Sequence, residues 1–376
     1  MTDLGDPYGY AMPTRVSFGP GEIARVSALA ADEGSRVLVV CSPSMRRLRI
    51  ADRIVDDIDT GRSVLFDEAV PYPTPEMVDR VVDLCRSAQC DVVVAVGGGS
   101  TLDLGKSVAA LAPGVGRTRE YLTGDERMEG SGLPYIAVPT TAGTGSEVTP
   151  WATIWDKDAG RKHSLEHATM FPDHAVVDPE LTVSLSPSMT ASSGMDALTQ
   201  AVESYWSKRS QPISDLYALG AIRRIMGNLE DAYESGSIEP RTAMAEGSLM
   251  SGLAFSNTKT TICHSLSYPM TALFGVSHGQ AVSVTLPAFL LWNGDAILAR
   301  LPQLLEAFGA ASLEDAANRI RALMTNIGLS VSLNDLGIGD DEIEAVIEQG
   351  FYADRADNNP KPVALQDARD ILRSIR

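Results

Sequence analysis

Basic residues are scarce in this chain of 376 residues: 31 lysines and arginines stand against 49 aspartates and glutamates, and the formal net charge is -18. A field of this sign repels phosphate backbones and anionic membrane surfaces. We therefore expect no nucleic-acid partner. An anionic substrate or cofactor would need lysines, arginines or backbone N–H groups placed at its own site.

Cysteines are also few, and long apolar runs are missing. The four cysteines, Cys41, Cys85, Cys90 and Cys263, form no C-x-x-C pair, which argues against a disulfide framework and fits a reducing compartment. No apolar run is long enough to span a bilayer, and the first residues lack the pattern of a secretory signal. We expect a cytoplasmic protein with no membrane partner.

The residues that are present indicate a globular protein, since 44% are hydrophobic and 21% are charged. Near-continuous apolar runs in the first half are typical of buried parallel strands; they are residues 36–41 (RVLVVC), 63–66 (SVLF), 91–96 (DVVVAV) and 135–138 (YIAV). Beyond about residue 185 the pattern becomes helical. The sequence predicts a Rossmann-like α/β domain over residues 1–185 and an all-α domain over residues 186–376.

Two glycine-rich segments follow predicted strands. GGGSTLDLGK begins at Gly97, and PTTAGTGSEVT begins at Pro139. Glycines allow a close backbone approach, and a helix start favours a pyrophosphate. A glycine turn before a helix is as often only a tight connection, but the second segment could line the same crevice with hydroxyls. Together they indicate a dinucleotide site.

Both segments resemble signatures of the iron-containing alcohol dehydrogenase family, which likewise lacks the G-x-G-x-x-G motif. The resemblance implies the fold shared by this family and dehydroquinate synthase, a homodimer, and a nicotinamide cofactor. It places the pyrophosphate at Gly97, Gly98, Gly99 and Ser100, and the nicotinamide half near Asp103, Thr140, Thr141 and Thr144. Lys162 would be a further cofactor contact, although a solvated loop lysine is the alternative.

The choice of cofactor depends on the end of the strand at residues 36–41. Family members that prefer NAD usually carry an aspartate there, whereas this chain has Ser42, followed by Arg46. Without the carboxylate a 2′-phosphate is not repelled, and an arginine could pair with it. We therefore expect NADPH, with NADH less favoured. The alternative is that Arg46 belongs to a solvated helix start.

The resemblance also implies one divalent metal, held in the family by an aspartate and three histidines. Asp196, His264 and His278 match three of these ligands, and Gln200 stands where the family has its second histidine. The resemblance implies Fe²⁺, with Zn²⁺ as the alternative. Because an amide oxygen is a harder and weaker ligand than imidazole, Gln200 should lower metal affinity and leaves the choice between the two metals open. Gln200 could bind the metal, be replaced by water, or leave three protein ligands. Tyr268 replaces a histidine often assigned to proton relay, and we count Tyr268 and Asp103 as candidate catalytic residues.

Residues 257–279 (NTKTTICHSLSYPMTALFGVSHG) resemble the phosphonoacetaldehyde reductases within the family, whose other members commonly carry small apolar and glycine residues in place of residues 258–261 (TKTT). This predicts metal-assisted reduction of phosphonoacetaldehyde to 2-hydroxyethylphosphonate by NADPH. Lys259, as substrate-binding and catalytic residue, would hold the anion with Thr258, Thr260 and Thr261, and Trp151 would close the pocket. Lys259 could instead be an exposed lysine. Other functions left open are an alcohol dehydrogenase for short neutral aldehydes, a lyase of the dehydroquinate synthase type, and a non-catalytic nucleotide-binding protein.

Overall fold

The computed structural model describes residues 7–58, 61–128, 130–156, 161–351 and 353–376. The chain forms two compact units. The sheet unit consists of Met12–Thr141 and Gly145–Thr182, and the helical unit consists of Ala142–Thr144 and Val183–Arg376 together with residues 7–11. Over the described ranges, no helix has both the length and the apolar character needed to cross a bilayer.

The sheet unit contains eight strands and six α-helices among its described residues. Its strands are β1 (Arg15–Phe18), β2 (Val37–Cys41), β3 (Ser63–Phe66), β4 (Val92–Gly97), β5 (Tyr135–Pro139), β6 (Trp151–Asp156), β7 (Arg161–Glu166) and β8 (His174–Val177). Its helices are α1 (Val26–Glu33), α2 (Pro43–Arg47), α3 (Ile50–Ile58), α4 (Pro75–Ser87), α5 (Gly99–Leu111) and α6 (Thr118–Thr123). Six strands form a parallel sheet in the order β1-β8-β5-β4-β2-β3, and β6 pairs with β7 as an antiparallel hairpin.

Helices cover both faces of this sheet, which explains why its central strands are apolar throughout. Every residue of β2 and β4 is buried. Val37 and Val39 of β2 pack in one core cluster with residues of α1 and α3, whereas Leu38 and Val40 pack in another with residues of α4 and α5. Burial of each such side chain contributes about 1.5–3 kcal/mol.

The strand order creates a switch point between β2 and β4. From β2 the chain moves outward to β3 and then returns to the other side of β2 to form β4, after which β5 and β8 follow. Ligands of open α/β sheets bind outside the carboxyl ends of the strands at such a point. Ser42 follows β2 and Gly98 follows β4. Since Thr140 likewise follows β5, both glycine-rich segments and the Ser42 segment lie at this edge of the sheet.

The helical unit contains no strand among its described residues. Its helices are α7 (Pro187–Trp206), α8 (Pro212–Glu234), α9 (Ile238–Thr258), α10 (Ile262–Phe274), α11 (His278–Ser283), α12 (Leu286–Asn293), α13 (Leu301–Phe308), α14 (Leu313–Asn326), α15 (Asp340–Gly350), α16 (Ala353–Asn358) and α17 (Leu365–Ser374). Helix α7 has a well-defined N-terminus, because Pro187 is its first residue and the Ser186 side chain caps it by accepting a hydrogen bond from the Met189 N–H. One large apolar core holds these helices together.

The predicted fold, an α/β domain followed by a helical domain, is confirmed. Each predicted strand also lies within one residue of an observed strand at both ends. The strands β1 and β8 and the hairpin were not predicted. The four residues of β1 are mostly exposed, and β6 alternates between buried and partly exposed positions, so neither has the continuous apolar run that marks the central strands.

Candidate functional site

Three predicted metal ligands, Asp196, His264 and His278, come together in the helical unit. One ligand atom of each lies within 4.8 Å of the others. Asp196 Oδ1 is 3.3 Å from His264 Nε2 and 3.8 Å from His278 Nε2. Donors about 2.0–2.2 Å from one tetrahedral ion are separated by roughly 3.4 Å. One carboxylate and two imidazoles at this spacing fit a divalent metal, and the described ranges contain no other such group of histidine, cysteine or acidic residues.

Three helices deliver these ligands. Asp196 lies midway along α7, His264 is in the first turn of α10, and His278 is the first residue of α11. The start of α11 packs directly against α7, because a Cβ atom on Gly279 would lie only 1.7 Å from the Ser192 carbonyl oxygen. Glycine at this position therefore allows the approach that brings His278 to Asp196.

A fourth group, Glu203, completes the surroundings of His264 and was missed by the sequence analysis. It is fully buried on α7, and its Oε2 atom is hydrogen-bonded to His264 Nδ1. Burial lowers the pKa of His264, but the charges and hydrogen bonds of Glu203 and Asp196 together outweigh this effect and raise the pKa to about 10. Burial likewise opposes ionisation of Glu203, yet His264 and the hydrogen bonds with Thr261 together bring the pKa of that carboxyl below its ordinary value. The spacing of seven residues from Asp196 would have placed Glu203 on the same helix face.

Gln200 and Tyr268 lie beside the cluster in different ways. Gln200 is buried one turn after Asp196, and its Oε1 atom lies 3.4 Å from the Ser251 hydroxyl. The Tyr268 ring stacks on the His278 imidazole with centroids 6.1 Å apart and planes inclined by 7°. Both positions agree with the predicted neighbourhood of the metal, but their roles as ligand and proton donor stay predictions.

In the sheet unit, the predicted pyrophosphate segment forms the turn from β4 into α5. Gly98 caps the helix, and α5 begins at Gly99, ahead of Ser100. A Cβ atom on Gly97 would lie 2.6 Å from the Thr101 side chain, so the turn has no room for one. Thr140 donates its N–H to the Gly97 carbonyl at 3.0 Å. The structure therefore holds the two glycine-rich segments side by side, with the N-terminus of α5 available to an anion.

Asp103 anchors the second of these segments. Its Oδ1 atom accepts a hydrogen bond from the Ser146 hydroxyl at 2.7 Å, and its Oδ2 atom accepts one from the Thr153 N–H at 2.9 Å. Although the residue is partly exposed, protein surrounds its carboxyl group and raises its pKa, while Lys106 opposes that rise. Both carboxylate oxygens thus hold the loop in place, and a catalytic role for Asp103 stays a prediction.

Lys106, which the sequence analysis did not single out, binds the same segment from one turn further along α5. Its ammonium group donates to the carbonyl oxygens of Ser146, Thr149 and Trp151 at 2.7, 2.8 and 2.9 Å. Burial lowers its pKa to about 8. Because an ammonium group has three N–H donors, these carbonyls use all of them. A buried lysine therefore fixes the path of the chain from Ser146 to the start of β6.

Four other predicted cofactor and substrate residues are also placed in the sheet unit. Ser42 precedes α2 and shares a hydrogen bond of 2.8 Å with the Ser44 hydroxyl. The exposed Arg46 guanidinium lies 2.6 Å from Asp52 and 3.4 Å from Asp67. Trp151 begins β6 opposite the end of β7, and Lys162 of β7 is near enough to Asp103 for its charge to oppose part of the rise in the pKa of that carboxyl. Of the two other predicted threonines in this region, Thr141 is in contact range of Gly98, and Thr144 falls in the segment assigned to the helical unit.

The predicted substrate segment joins α9 to α10. The Thr258 hydroxyl is 2.9 Å from the Ser204 hydroxyl, and the Thr260 hydroxyl accepts a hydrogen bond from Arg355 at 3.0 Å. Thr261 donates to Glu203 Oε1 at 2.7 Å. Since all three hydroxyls are buried and bound within the protein, the structure speaks against the expected hydroxyl cradle. Lys259 differs from them: it is only partly buried, and its φ of 60° and ψ of 171° are unusual for any residue with a side chain.

Two family models cover nearly the whole chain. Residues 13–179 match the model described as iron-containing alcohol dehydrogenase, and residues 190–376 match the C-terminal model of the Fe-containing alcohol dehydrogenase family. The long-chain-alcohol dehydrogenase 1 of Geobacillus thermodenitrificans is 34% identical over 89% of this chain and 88% of its own. The NAD-dependent methanol dehydrogenase of Bacillus methanolicus is 30% identical over 97% of this chain and 99% of its own.

A solved structure is similar over the same extent. The sulfoacetaldehyde reductase of Bifidobacterium kashiwanohense, in complex with NAD+, superimposes with a TM-score of 0.94 at 33% identity, covering 99% of both chains. Sequence and structural similarity therefore extend over both units.

Proposed function

Since the chain belongs to the iron-containing alcohol dehydrogenase family, we propose that it reduces a short aldehyde carrying an anionic group, with phosphonoacetaldehyde as the first candidate and NADPH as the reductant. The protein is an oxidoreductase that acts on CH–OH groups with a nicotinamide cofactor, and we propose small alcohols and aldehydes as its substrates. The product of the proposed reaction is the primary alcohol, 2-hydroxyethylphosphonate.

Asp196, His264 and His278 would hold the metal, with Gln200 as a weak or indirect fourth partner. Iron is the family's metal, and zinc is the alternative for this donor set. When bound, the ion supplies a Lewis acid that polarises the substrate carbonyl. The protein's part is to fix the positions of the three ligands.

The main support for an anionic substrate is the unusual backbone conformation of Lys259. A φ of 60° with a ψ of 171° lies in a region that is essentially restricted to glycine and costs of order 1–3 kcal/mol for other residues. Backbone strain of this kind concentrates at functional sites. Because the chain has a net charge of -18, an anionic substrate needs a positive side chain at its own site, and Lys259 would supply one.

The location of Lys259 supports the same conclusion. It lies two residues before Thr261, whose hydroxyl is bound to Glu203, and Glu203 is in turn bound to His264. The segment is thus tied to the metal cluster by two successive hydrogen bonds. The similar sulfoacetaldehyde reductase is named for a two-carbon aldehyde with an anionic sulfonate, and a sulfonate offers a lysine the same charge-assisted contact as a phosphonate.

NADPH is the proposed cofactor because Ser42 leaves the end of β2 without a carboxylate, and Arg46 lies one turn further on. The ion pairs of Arg46 with Asp52 and Asp67 would rearrange when a 2′-phosphate binds. Two similar proteins are described with NAD, so the preference of this chain rests on those two residues. We also propose that the protein is cytoplasmic and forms a homodimer. Size-exclusion chromatography with light scattering would measure the molar mass and so test the dimer.

The test is an NADPH oxidation assay with phosphonoacetaldehyde, sulfoacetaldehyde and propanal, run on the metal-reconstituted wild type, Lys259→Ala and Lys208→Ala. Lys208 is an exposed lysine of the helical unit whose ammonium binds only the Asp357 carbonyl among the contacts that the structure describes. A charge-assisted contact is worth about 1.5–3 kcal/mol. Lys259→Ala should therefore raise KM for the anionic aldehydes about 10-fold to 100-fold and leave propanal nearly unchanged, whereas Lys208→Ala should behave as the wild type.

The outcomes separate the alternatives. Equal losses on all three aldehydes would refute recognition of the anion by Lys259. Activity on propanal alone would indicate a general alcohol dehydrogenase, and preference between the two anions decides the natural head group. No NADPH consumption with any aldehyde would favour a lyase or a non-catalytic nucleotide-binding protein.

A further inference from the structure

Glu203 is a charged group buried at the centre of the helical unit, and the proposed chemistry assigns it no direct part. None of its surface is exposed. An ionised carboxylate in such a place is stable only when hydrogen bonds replace its water. Its Oε1 atom accepts the Thr261 hydroxyl at 2.7 Å and the Cys263 N–H at 2.8 Å, and its Oε2 atom faces His264 Nδ1.

The Thr261 hydroxyl is itself fixed in direction. It accepts a hydrogen bond of 2.8 Å from the Nε1–H group of the buried Trp206. Because the indole nitrogen can only donate, the Thr261 oxygen must be the acceptor in that bond. The single hydrogen of the hydroxyl is then donated to Glu203. Two donors therefore occupy Oε1, and the orientation of the whole carboxylate is set by groups outside the metal cluster.

From this arrangement we propose that Glu203 is a positioning residue for the metal, acting through His264. By accepting the hydrogen of Nδ1, it keeps that hydrogen in place and leaves Nε2, which faces Asp196 and His278, as the nitrogen that would give up its proton and bind the metal. Thr261 and Trp206 hold Glu203 in that role, which explains why the Thr261 hydroxyl is buried instead of facing a substrate. The inference rests on the proposed metal centre but not on the proposed substrate.

The chemistry suggests an isosteric test, Glu203→Gln. Because Thr261 and the Cys263 N–H are both donors, the amide oxygen must replace Oε1, and the amide NH₂ group must then face His264 Nδ1. A neutral imidazole that accepts at Nδ1 carries its hydrogen at Nε2, which is the atom that the metal requires as a lone pair. The substitution should therefore invert the tautomer without removing any bulk.

We would measure Zn²⁺ affinity of the full chain by competition with a chromogenic chelator. Loss of an outer carboxylate partner typically weakens metal binding 10-fold to 100-fold, and we expect that range for Glu203→Gln. Thr261→Val should weaken binding by a smaller factor. The matched control is Thr199→Val. Thr199 lies on α7, as Glu203 does, and its buried hydroxyl donates a described hydrogen bond to the Met195 carbonyl. The zinc affinity of this variant should equal that of the wild type.

A second readout separates positioning from a general loss of structure. In metal-free protein labelled with ¹⁵N-histidine, the His264 signal, assigned with a His264→Asn variant, should report hydrogen at Nδ1 in the wild type and at Nε2 alone in Glu203→Gln. Unchanged zinc affinity in Glu203→Gln, or an equal loss in Thr199→Val, would overturn the proposal. If Glu203→Gln does not fold, Thr261→Val decides the matter, and wild-type zinc affinity in that variant would overturn it as well. Failure of every aldehyde in the turnover assay would leave these binding results unaffected.

Discussion

Replacing Lys259 by glycine should improve stability while it damages recognition of an anion. The backbone at this position has a φ of 60° and a ψ of 171°, and a side chain there costs of order 1–3 kcal/mol. Glycine removes that cost but increases the entropy of the unfolded chain, which takes back about 0.4–1 kcal/mol. The net gain should be about 1 kcal/mol.

The measurement compares Lys259→Gly with Lys259→Ala in thermal unfolding and in turnover. One kcal/mol corresponds to about 2–4 °C for a unit of roughly 200 residues. The glycine variant should melt higher than the wild type by about this amount, whereas alanine keeps the strained Cβ and should stay close to the wild type. Both variants should lose the preference for anionic aldehydes equally, because both lack the ammonium group.

The two parts of this prediction can fail separately. If glycine and alanine variants unfold at the same temperature, the backbone of Lys259 is not strained. If the glycine variant is more stable but still prefers anionic aldehydes, the strain is real and the side chain serves another purpose.

Three further predictions concern other residues. Gln200→His should tighten Zn²⁺ binding by about 10-fold or more, because imidazole is the better ligand; a chelator competition that shows no gain would mean that Gln200 is remote from the ion. Ser42→Asp should lower the ratio of kcat/KM for NADPH to that for NADH by repelling the 2′-phosphate, and equal efficiency with both cofactors in the wild type would defeat the argument. Burial raises the pKa of Glu147 to about 7 from an ordinary value of 4.5, so the folded protein binds the extra proton between these values and loses stability as pH rises through them. Glu147→Gln should therefore raise the free energy of unfolding at pH 8 by at most about 3 kcal/mol and have little effect at pH 4. Denaturant titrations of both proteins at the two pH values would measure this, and the same effect at both would contradict the reasoning.

The predictable parts of the fold are those where sequence and burial agree locally. The runs that became β2 and β4 are buried on both faces and need no context to be recognised. By contrast, β1 is a short and mostly exposed strand at the sheet edge, and β8, between β1 and β5, has only three consecutive apolar residues. Such short segments are stabilised by their neighbours more than by their own sequence. Pairing with β5 and with each other is what makes β8 and β1 strands.

The residues of the candidate site likewise fall into those that the sequence predicted and those whose partners appear only in the folded chain. Asp196, His264 and His278 were found through a family pattern, and their distances agree with it. Glu203 carried a readable signal, seven residues after Asp196, but nothing in the sequence indicated that Thr261 and the Cys263 N–H would meet it. The three threonine hydroxyls near Lys259 were assigned to a substrate because composition reveals hydroxyls without revealing their partners. Lys106 was passed over because the three carbonyls that surround its ammonium group become neighbours only after folding.

Removal and return of the metal tests the central claim most directly. The purified protein would be assayed for NADPH oxidation with phosphonoacetaldehyde before chelation, after chelation and after addition of Fe²⁺ or Zn²⁺, with metal content measured on each sample. We predict one bound ion per chain in the active protein, loss of turnover in step with loss of that ion, and recovery when either Fe²⁺ or Zn²⁺ is restored. Full activity in protein that contains no metal would contradict the account.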